Sequence, residues 1–160
     1  MMETRTAARE DDLFLCEVYS STRLEEVSAW GWEDKDCKAF LSMQWRMQTN
    51  SYQLQFPDSE NLILSYEGTD AGRMMLNKAA EKIHLIDISL LPPFRNRGIG
   101  TSILKNLQQE ALMNQQIIEL HVTPYNPARR LYERLGFQLS ESLDFYWKMV
   151  WKPLHSTIGL

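Results

Sequence analysis

The chain has 160 residues, of which 44% are hydrophobic and 24% are charged. A chain of this length fits one core, so we expect a single domain over residues 1–160, and its composition excludes disordered and collagen-like proteins. The net charge of −4 is uneven: residues 1–70 carry −8 and residues 71–160 carry +4. A chain this acidic is a poor nucleic-acid binder, whereas segments of opposite charge suit two small partners of opposite sign.

The N-terminal sequence and the cysteines indicate a soluble, cytoplasmic protein. The first dozen residues are charged throughout and lack the apolar stretch of a signal peptide. No uncharged apolar run reaches the roughly 18 to 20 residues of a membrane span, so we expect no membrane partner. Cys16 and Cys37 make neither a disulfide framework nor a metal site, which favours a reducing compartment and no bound metal.

The spacing of apolar and turn-forming residues predicts ten helices and strands. In chain order they are a strand near 3–8, a helix at 13–22, a loop or broken helix at 23–36, a helix at 36–56, a hairpin with strands at 62–66 and 73–76 joined by a turn at 67–72, a strand at 82–91, a helix at 99–113, a strand at 117–123, a short helix at 127–135 and a strand at 145–151. The order βααβββαβαβ implies a central mixed sheet with helices on both faces.

The segment from Leu90 to Thr101 (LLPPFRNRGIGT) carries the most specific chemical signal. A strand there runs into a glycine-containing turn that opens a helix, and the first N–H groups of a helix attract anions. Gly98 and Gly100 present no side chain that would keep an anion off those groups, and Arg95 and Arg97 add positive charge. The segment therefore predicts a pyrophosphate site; the alternative is a tight turn with two solvated arginines.

Two common phosphate motifs do not fit this segment. A P-loop requires a lysine directly after the last glycine, where this chain has Thr101. A dinucleotide-binding fingerprint requires a third glycine at the position of Ile103.

The pattern Arg95-Asn96-Arg97-Gly98-Ile99-Gly100 instead resembles the acyl-CoA pyrophosphate motif of the GNAT superfamily of N-acetyltransferases. A second segment, Asn126 to Phe137, is similar to the N-x-A-x-x-L-Y-x-x-x-G-F segment of that family and begins 31 residues after Arg95. The resemblance implies an α/β, GNAT-type central mixed, mostly antiparallel β-sheet flanked by helices, with acetyl-CoA as cosubstrate. The residues that it places against acetyl-CoA are Leu90, Leu91, Arg95, Asn96, Arg97, Gly98, Ile99, Gly100, Thr101 and Asn126.

The resemblance also implies the transfer chemistry. The main-chain N–H of Leu90 matches the donor to the acetyl oxygen, and backbone donors aimed at a developing oxyanion contribute a few kcal/mol. Tyr132 matches the tyrosine that protonates the CoA thiolate. Core packing is the alternative explanation for Leu90, Leu91 and Tyr132. For Asn126 the alternative is that its side chain caps the following helix.

The proton acceptor is expected on one of two strands. His121 lies on the polar face of the 117–123 strand, where some N-terminal acetyltransferases of the superfamily carry a glutamate base, and neutral imidazole suits the role. His84 and Asp87 are alternatives of opposite parity on the preceding strand, so no more than one of them faces the site from a regular strand. A water relay is a further alternative.

The acceptor is predicted to be a primary amine of a small molecule or a protein. The resemblance places Trp30, Trp32, Glu33 and Tyr146 at the acceptor wall, and an acidic, aromatic rim attracts a cationic amine. Alternatively, the two tryptophans pack in the core or form part of a homodimer interface. Two rival functions remain at this point: a non-catalytic acyl-CoA-binding regulatory module, and an interaction protein without a cofactor, which leaves the Arg95–Gly100 motif unexplained.

Overall fold

A computed structural model describes residues 2–153 of the chain. Within them the helices are α1 (Asp12–Ser28), α2 (Asp34–Gln55), α3 (Ile99–Met113) and α4 (Ala128–Arg134). The strands are β1 (Met2–Thr6), β2 (Glu60–Tyr66), β3 (Thr69–Lys78), β4 (Lys82–Leu90), β5 (Ile117–Val122), β6 (Gln138–Ser142) and β7 (Trp147–Trp151). None of these helices is both long and apolar enough to cross a bilayer.

The strands form one sheet in the order β1-β2-β3-β4-β5-β7-β6. Strands β4 and β5 are parallel, from Lys82 opposite Ile117 to Leu85 opposite Leu120, as a strand–helix–strand crossover requires. Strand β7 inserts between β5 and β6 and is antiparallel to both. The prediction of a central mixed, mostly antiparallel sheet is confirmed.

The chain divides into two compact units. The first holds the chain up to Met75 together with Asp87–Asn96, and the second holds Leu76–Ile86 together with the chain from Arg97 onward. The core of the first is Leu15, Tyr19, Val27, Cys37, Leu41, Trp45 and Ile63. In the second, α3 buries one stripe that contains Ile99, Ile103, Leu104, Leu107 and Ala111. The prediction of a single domain over 1–160 stays a prediction, and its two ends lie outside the described residues.

The first half contains more helix than the spacing predicted. Helix α1 continues through residues 23–28, which were expected to be a loop or broken helix, because Val27 extends the buried stripe of α1 and is fully enclosed in the core. The link to α2 is therefore only residues 29–33. In α2 the stripe of Leu41 and Trp45 is buried, whereas Met43 and Met47 are exposed.

One prediction about the strands was wrong, and one strand was not predicted. The turn expected over 67–72 is only Glu67 and Gly68, both with positive φ (50° and 82°), which is the geometry of a two-residue hairpin; residues from Thr69 onward already belong to β3. Strand β6 was not predicted, because all five of its residues are exposed and its sequence, QLSES, lacks apolar alternation. Main-chain pairing with β7 determines this strand.

Candidate active site

The loop before α3 leaves a helix N-terminus without a side-chain cap. Gly98 is the N-cap, in the left-handed region at φ 77°, and no side chain caps the helix there. The first intrahelical hydrogen bond runs from the Ser102 N–H to the Gly98 carbonyl at 3.0 Å, so the N–H groups of residues 98–101 precede it. The first turn also contains no acidic residue. These four N–H groups and the helix dipole suit a pyrophosphate.

The two glycines of the loop serve different purposes. Gly98 requires its positive φ, and a Cβ built there would meet no heavy atom within 4 Å. At Gly100 a Cβ would meet only Leu131 Cδ2, at an ordinary 3.6 Å, so the protein itself has room for alanine. Open space in front of uncapped N–H groups fits an approaching phosphate group.

The exposed side chain of Arg95 makes two hydrogen bonds within the protein. Its Nε donates to the Leu90 carbonyl at 2.9 Å and its Nη2 donates to Ser21 Oγ at 3.4 Å, so its side chain is fastened to the end of β4. Arg97 is exposed, and Asn96 occupies the left-handed region at φ 61°.

Strand β4 extends well beyond its pairing with β5. The pairing ends at Leu85, and β4 continues to Leu90. On the side of β3, the Leu91 N–H donates to the Ala71 carbonyl at 2.8 Å. Leu90 and Leu91 are both only partly buried. Beyond Leu85 the main-chain groups of β4 take no part in the pairing with β5, which suits the donor role that the resemblance implies for the Leu90 N–H.

The second unit brings two histidines together across β4 and β5. The ring centroids of His84 and His121 are 5.4 Å apart, and the ring of Tyr146 lies 5.6 Å from that of His121. His121 is exposed, whereas His84 is partly buried. Burial, together with the neighbouring His121, lowers the pKa of His84 below its usual value, so His84 is neutral near pH 7.

An acidic residue and two lysines adjoin the histidine pair. Glu119 lies opposite His84 in the β4–β5 register and is buried, with its Oε2 at 3.5 Å from Lys82 Nζ and 3.4 Å from Lys148 Nζ. Burial acts to raise the pKa of Glu119, but the two lysines outweigh it and the net shift is downward. Glu119 is therefore a carboxylate held between two lysines beside the histidine pair.

The first unit holds Asp87 in a different arrangement. Its Oδ2 accepts a hydrogen bond from the Nε of the buried Arg73 at 2.8 Å, and Arg73 also donates to Gln48 Oε1 at 3.2 Å. Protonation of Asp87 would leave a buried guanidinium without its counter-charge, which is costly. The geometry therefore argues against Asp87 as the proton acceptor.

Tyr132 and Asn126 lie at α4. Tyr132 is buried and its ring centroid is 5.7 Å from that of Phe137. The side-chain oxygen of Asn126 accepts a hydrogen bond from the Ala128 N–H at 2.9 Å, which is an Asx turn directly before α4. The N-cap of α4 is Pro127, so Asn126 is not the cap. Contact of either residue with acetyl-CoA stays a prediction.

The α1–α2 link presents an exposed aromatic cluster in the first unit. The rings of Trp30, Trp32 and Phe40 pack edge to face with centroids 5.3 to 5.6 Å apart. Trp30 and Trp32 remain 43% and 47% exposed, so neither is a core residue. Glu33, the N-cap of α2, is exposed and makes no capping hydrogen bond through its side chain.

Comparison with known proteins identifies the family. A model of the Acetyltransferase (GNAT) family matches residues 23–137, which is more than two thirds of the chain. The chain belongs to the GNAT acetyltransferase family. Among solved structures, the PaiA N-acetyltransferase of Thermoplasma acidophilum in complex with coenzyme A has a TM-score of 0.70 at 18% identity, over 95% of this chain and 99% of that one.

Curated relatives align with only part of this GNAT chain, and the chain spans only part of their length. The cysteine-rich protein 2-binding proteins of mouse and human are 33% identical over 106 residues, which is 65% of this chain but only 13% of theirs. An N-alpha-acetyltransferase of Sulfolobus acidocaldarius is 34% identical over 70 residues, 41% of each chain.

Two features of this GNAT chain escaped sequence reasoning. Gly72 was assigned to a turn but lies in β3, against the end of β4. The Arg73–Asp87 pair joins residues 14 positions apart, and only the β3–β4 hairpin brings them together. The one available signal for Arg73 was its position directly before the apolar residues Met74, Met75 and Leu76.

Proposed function

We propose that the chain transfers the acetyl group of acetyl-CoA to a primary amine. The observation that carries the proposal is the uncapped N-terminus of α3, with open space at Gly98, in a chain of the GNAT family. The N–H groups of residues 98–101 and the exposed Arg97 would hold the pyrophosphate, and the Leu90 N–H would receive the acetyl oxygen. We propose further that both units belong to one acetyltransferase domain, since the family model covers residues of each.

The thioester is already activated, so the chain has to position it and move two protons. We assign the first proton to His121, which is exposed and takes it from the ammonium of the acceptor. His84 supports this role because it stays neutral near pH 7. A protonated His121 is therefore not repelled by a second positively charged imidazole.

Tyr132 is the proposed donor of the second proton. Attack by the neutral amine nitrogen forms the carbon–nitrogen bond and breaks the carbon–sulfur bond. The departing thiolate takes the proton of the Tyr132 phenol, and the second proton lost by the attacking nitrogen restores that phenol. A phenol of pKa about 10 is a suitable acid for a thiolate of similar basicity. The proton taken by His121 then passes to solvent.

The acceptor is proposed to be cationic. Trp30 and Trp32 offer exposed ring faces, and Glu25, Glu26, Glu33 and Asp34 are exposed acidic residues close to them in sequence. This combination attracts an ammonium by long-range charge and by cation–π contact. The name of the Sulfolobus relative, an N-alpha-acetyltransferase, is compatible with an α-amino group as the acceptor. Small-molecule amines and protein lysines are also cationic amine acceptors.

The decisive experiment is a binding assay followed by a transfer assay. Acetyl-CoA should raise the thermal midpoint of the protein, and free thiol should then appear with some member of a panel of polyamines, amino acids, aminoglycosides and peptides with free N-termini. Binding without thiol release on the whole panel would indicate an acyl-CoA-binding module, and no binding would overturn the proposal.

A further inference from the structure

Strands β3 and β4 approach unusually closely at Gly72. A Cβ built on Gly72 would overlap the carbonyl oxygen of Ser89 and would lie 3.0 Å from the Cα of Leu90. The obstacle is main chain, so no side-chain rotation relieves it. Gly72 does not have a positive φ. Close approach, and not backbone conformation, is therefore the reason for a glycine at this position.

The same contact determines the direction of the Leu90 N–H. The Ser89 carbonyl faces β3, and in a planar trans peptide the C=O and the following N–H point in opposite directions. The Leu90 N–H is therefore directed to the side of β4 away from β3. The neighbouring Leu91 N–H agrees with this alternation, because it donates to the Ala71 carbonyl on β3.

Arg95 fastens the next peptide in the chain. Its Nε donates to the Leu90 carbonyl at 2.9 Å, so the two peptides that flank Leu90 are held by Gly72 on one side and by Arg95 on the other. Arg95 is also the first residue of the proposed pyrophosphate motif. The Arg95 side chain therefore connects the Leu90 carbonyl to the first residue of that motif.

We propose that Gly72 is a positioning residue for acetyl transfer: by lacking a Cβ, it lets the Ser89–Leu90 peptide direct the Leu90 N–H at the acetyl oxygen. The inference rests on the proposed function, because it presupposes that acetyl-CoA binds along the end of β4. Gly72 itself touches neither the substrate nor the reacting atoms; it acts through the peptide that it admits.

The test compares Gly72→Ala with Gly68→Ala. Gly68 lies on the same hairpin at φ 82°, and a Cβ there would meet nothing within 4 Å, so alanine strains the turn without reaching β4. Both variants should lose thermal stability. Only Gly72→Ala should lower kcat/KM for acetyl-CoA by tenfold or more, while the Kd of CoA, which has no acetyl group, changes by less than about threefold.

A spectroscopic measurement separates positioning from general damage. Acetyl-CoA labelled with ¹³C at the carbonyl should show a lowered C=O stretch when bound to the wild type and to Gly68→Ala, because an N–H donor weakens that bond. The stretch should return towards its solution value in Gly72→Ala. An unchanged stretch and unchanged kcat/KM in Gly72→Ala would overturn the inference, as would parallel losses of CoA affinity and activity in both variants.

If Gly72→Ala does not fold, hydrogen exchange of the Leu90 amide in the wild-type protein tests the inference instead. The Leu90 amide should exchange with solvent readily in the free protein and should be protected at least tenfold more by acetyl-CoA than by CoA. Equal protection by the two ligands, or strong protection in the free protein, would overturn the inference alone. A wild type that binds neither ligand would overturn the proposed function and this inference with it.

Discussion

The imidazole rings of His84 and His121 lie 5.4 Å apart at an interplanar angle of 70°, on parallel neighbouring strands. Burial and the adjacent ring lower the pKa of His84, so one of the two histidines is kept neutral while the other is exposed to solvent. This difference in environment gives the two rings different proposed roles, with His121 as the proton acceptor.

Replacing His121 by glutamine should lower amine acetylation about 10²- to 10⁴-fold, the usual effect of losing a general base. His84→Gln is the matched control and should retain most of the activity. Steady-state rates between pH 5.5 and 9 test this, and the assignment is reversed if His84→Gln is the inactive variant.

Tyr132→Phe should keep CoA binding and lower kcat about 10²- to 10⁴-fold, because it removes only the phenolic hydroxyl that would protonate the thiolate. Tyr132 is buried against Phe137, so phenylalanine preserves the ring packing, and the thermal midpoint of the variant reports any structural effect of the lost hydroxyl. The measurement is kcat beside the Kd of CoA. Wild-type turnover would mean that the thiolate takes its proton from water.

Gly100→Asp should abolish most acetyl-CoA affinity while the fold survives. An acidic residue in the first turn stabilises a helix, and Gly100 has room for a Cβ. The same carboxylate opposes a pyrophosphate at the α3 N-terminus, where like charges a few ångströms apart repel by a few kcal/mol.

Gly100→Asn is the control for this charge effect, because asparagine has the same size without the charge. Titration calorimetry should give a Kd for acetyl-CoA at least tenfold weaker for Gly100→Asp than for Gly100→Asn. Equal affinities would show that the diphosphate binds elsewhere.

Glu33→Gln should raise the KM for the amine roughly two- to fivefold, the range expected of one exposed charge pair, and leave the KM for acetyl-CoA unchanged. Added salt should raise the amine KM of the wild type, because the Debye length of about 8 Å at physiological ionic strength shortens. Glu3→Gln removes the same charge from the exposed surface of β1 and serves as control. A neutral or anionic preferred acceptor, or an amine KM that ignores both salt and Glu33, would contradict the cationic-acceptor proposal.

Asp11→Asn should lower the thermal midpoint at pH 7 and make stability less sensitive to acid. Two hydrogen bonds from Arg5 and one from the Ala8 N–H lower the pKa of Asp11 from 3.8 to about 2. A carboxyl with a lowered pKa stabilises the fold above its unfolded pKa and loses that contribution as the pH falls towards its folded pKa.

The difference in midpoint between wild type and Asp11→Asn should therefore shrink between pH 4 and pH 2. The exposed neighbour Asp12 provides the control variant Asp12→Asn, which removes one carboxylate from the adjacent position and leaves the hydrogen bonds between Arg5 and Asp11 in place. A constant difference across that range would show that Asp11 acts through packing and not through its charge.

The sequence by itself determined those features that depend on short stretches of chain. Helix α3 was predicted at its observed bounds, Ile99–Met113, because its amphipathic period and the glycines before it are local properties. The phosphate loop and the Asn126–Phe137 segment were recognisable for the same reason, and they led to the family.

Tertiary structure decided the features that depend on which strands meet. The pairing of β4 with β5 puts His84, and not Asp87, beside His121, while Asp87 pairs with Arg73 of β3. Edge strand β6 exists through its hydrogen bonds to β7 and has no apolar pattern of its own. Glycine is required at position 72 because the main chains of β3 and β4 come too close there for a Cβ. The sequence shows the glycine but does not show that the Ser89 carbonyl lies against it.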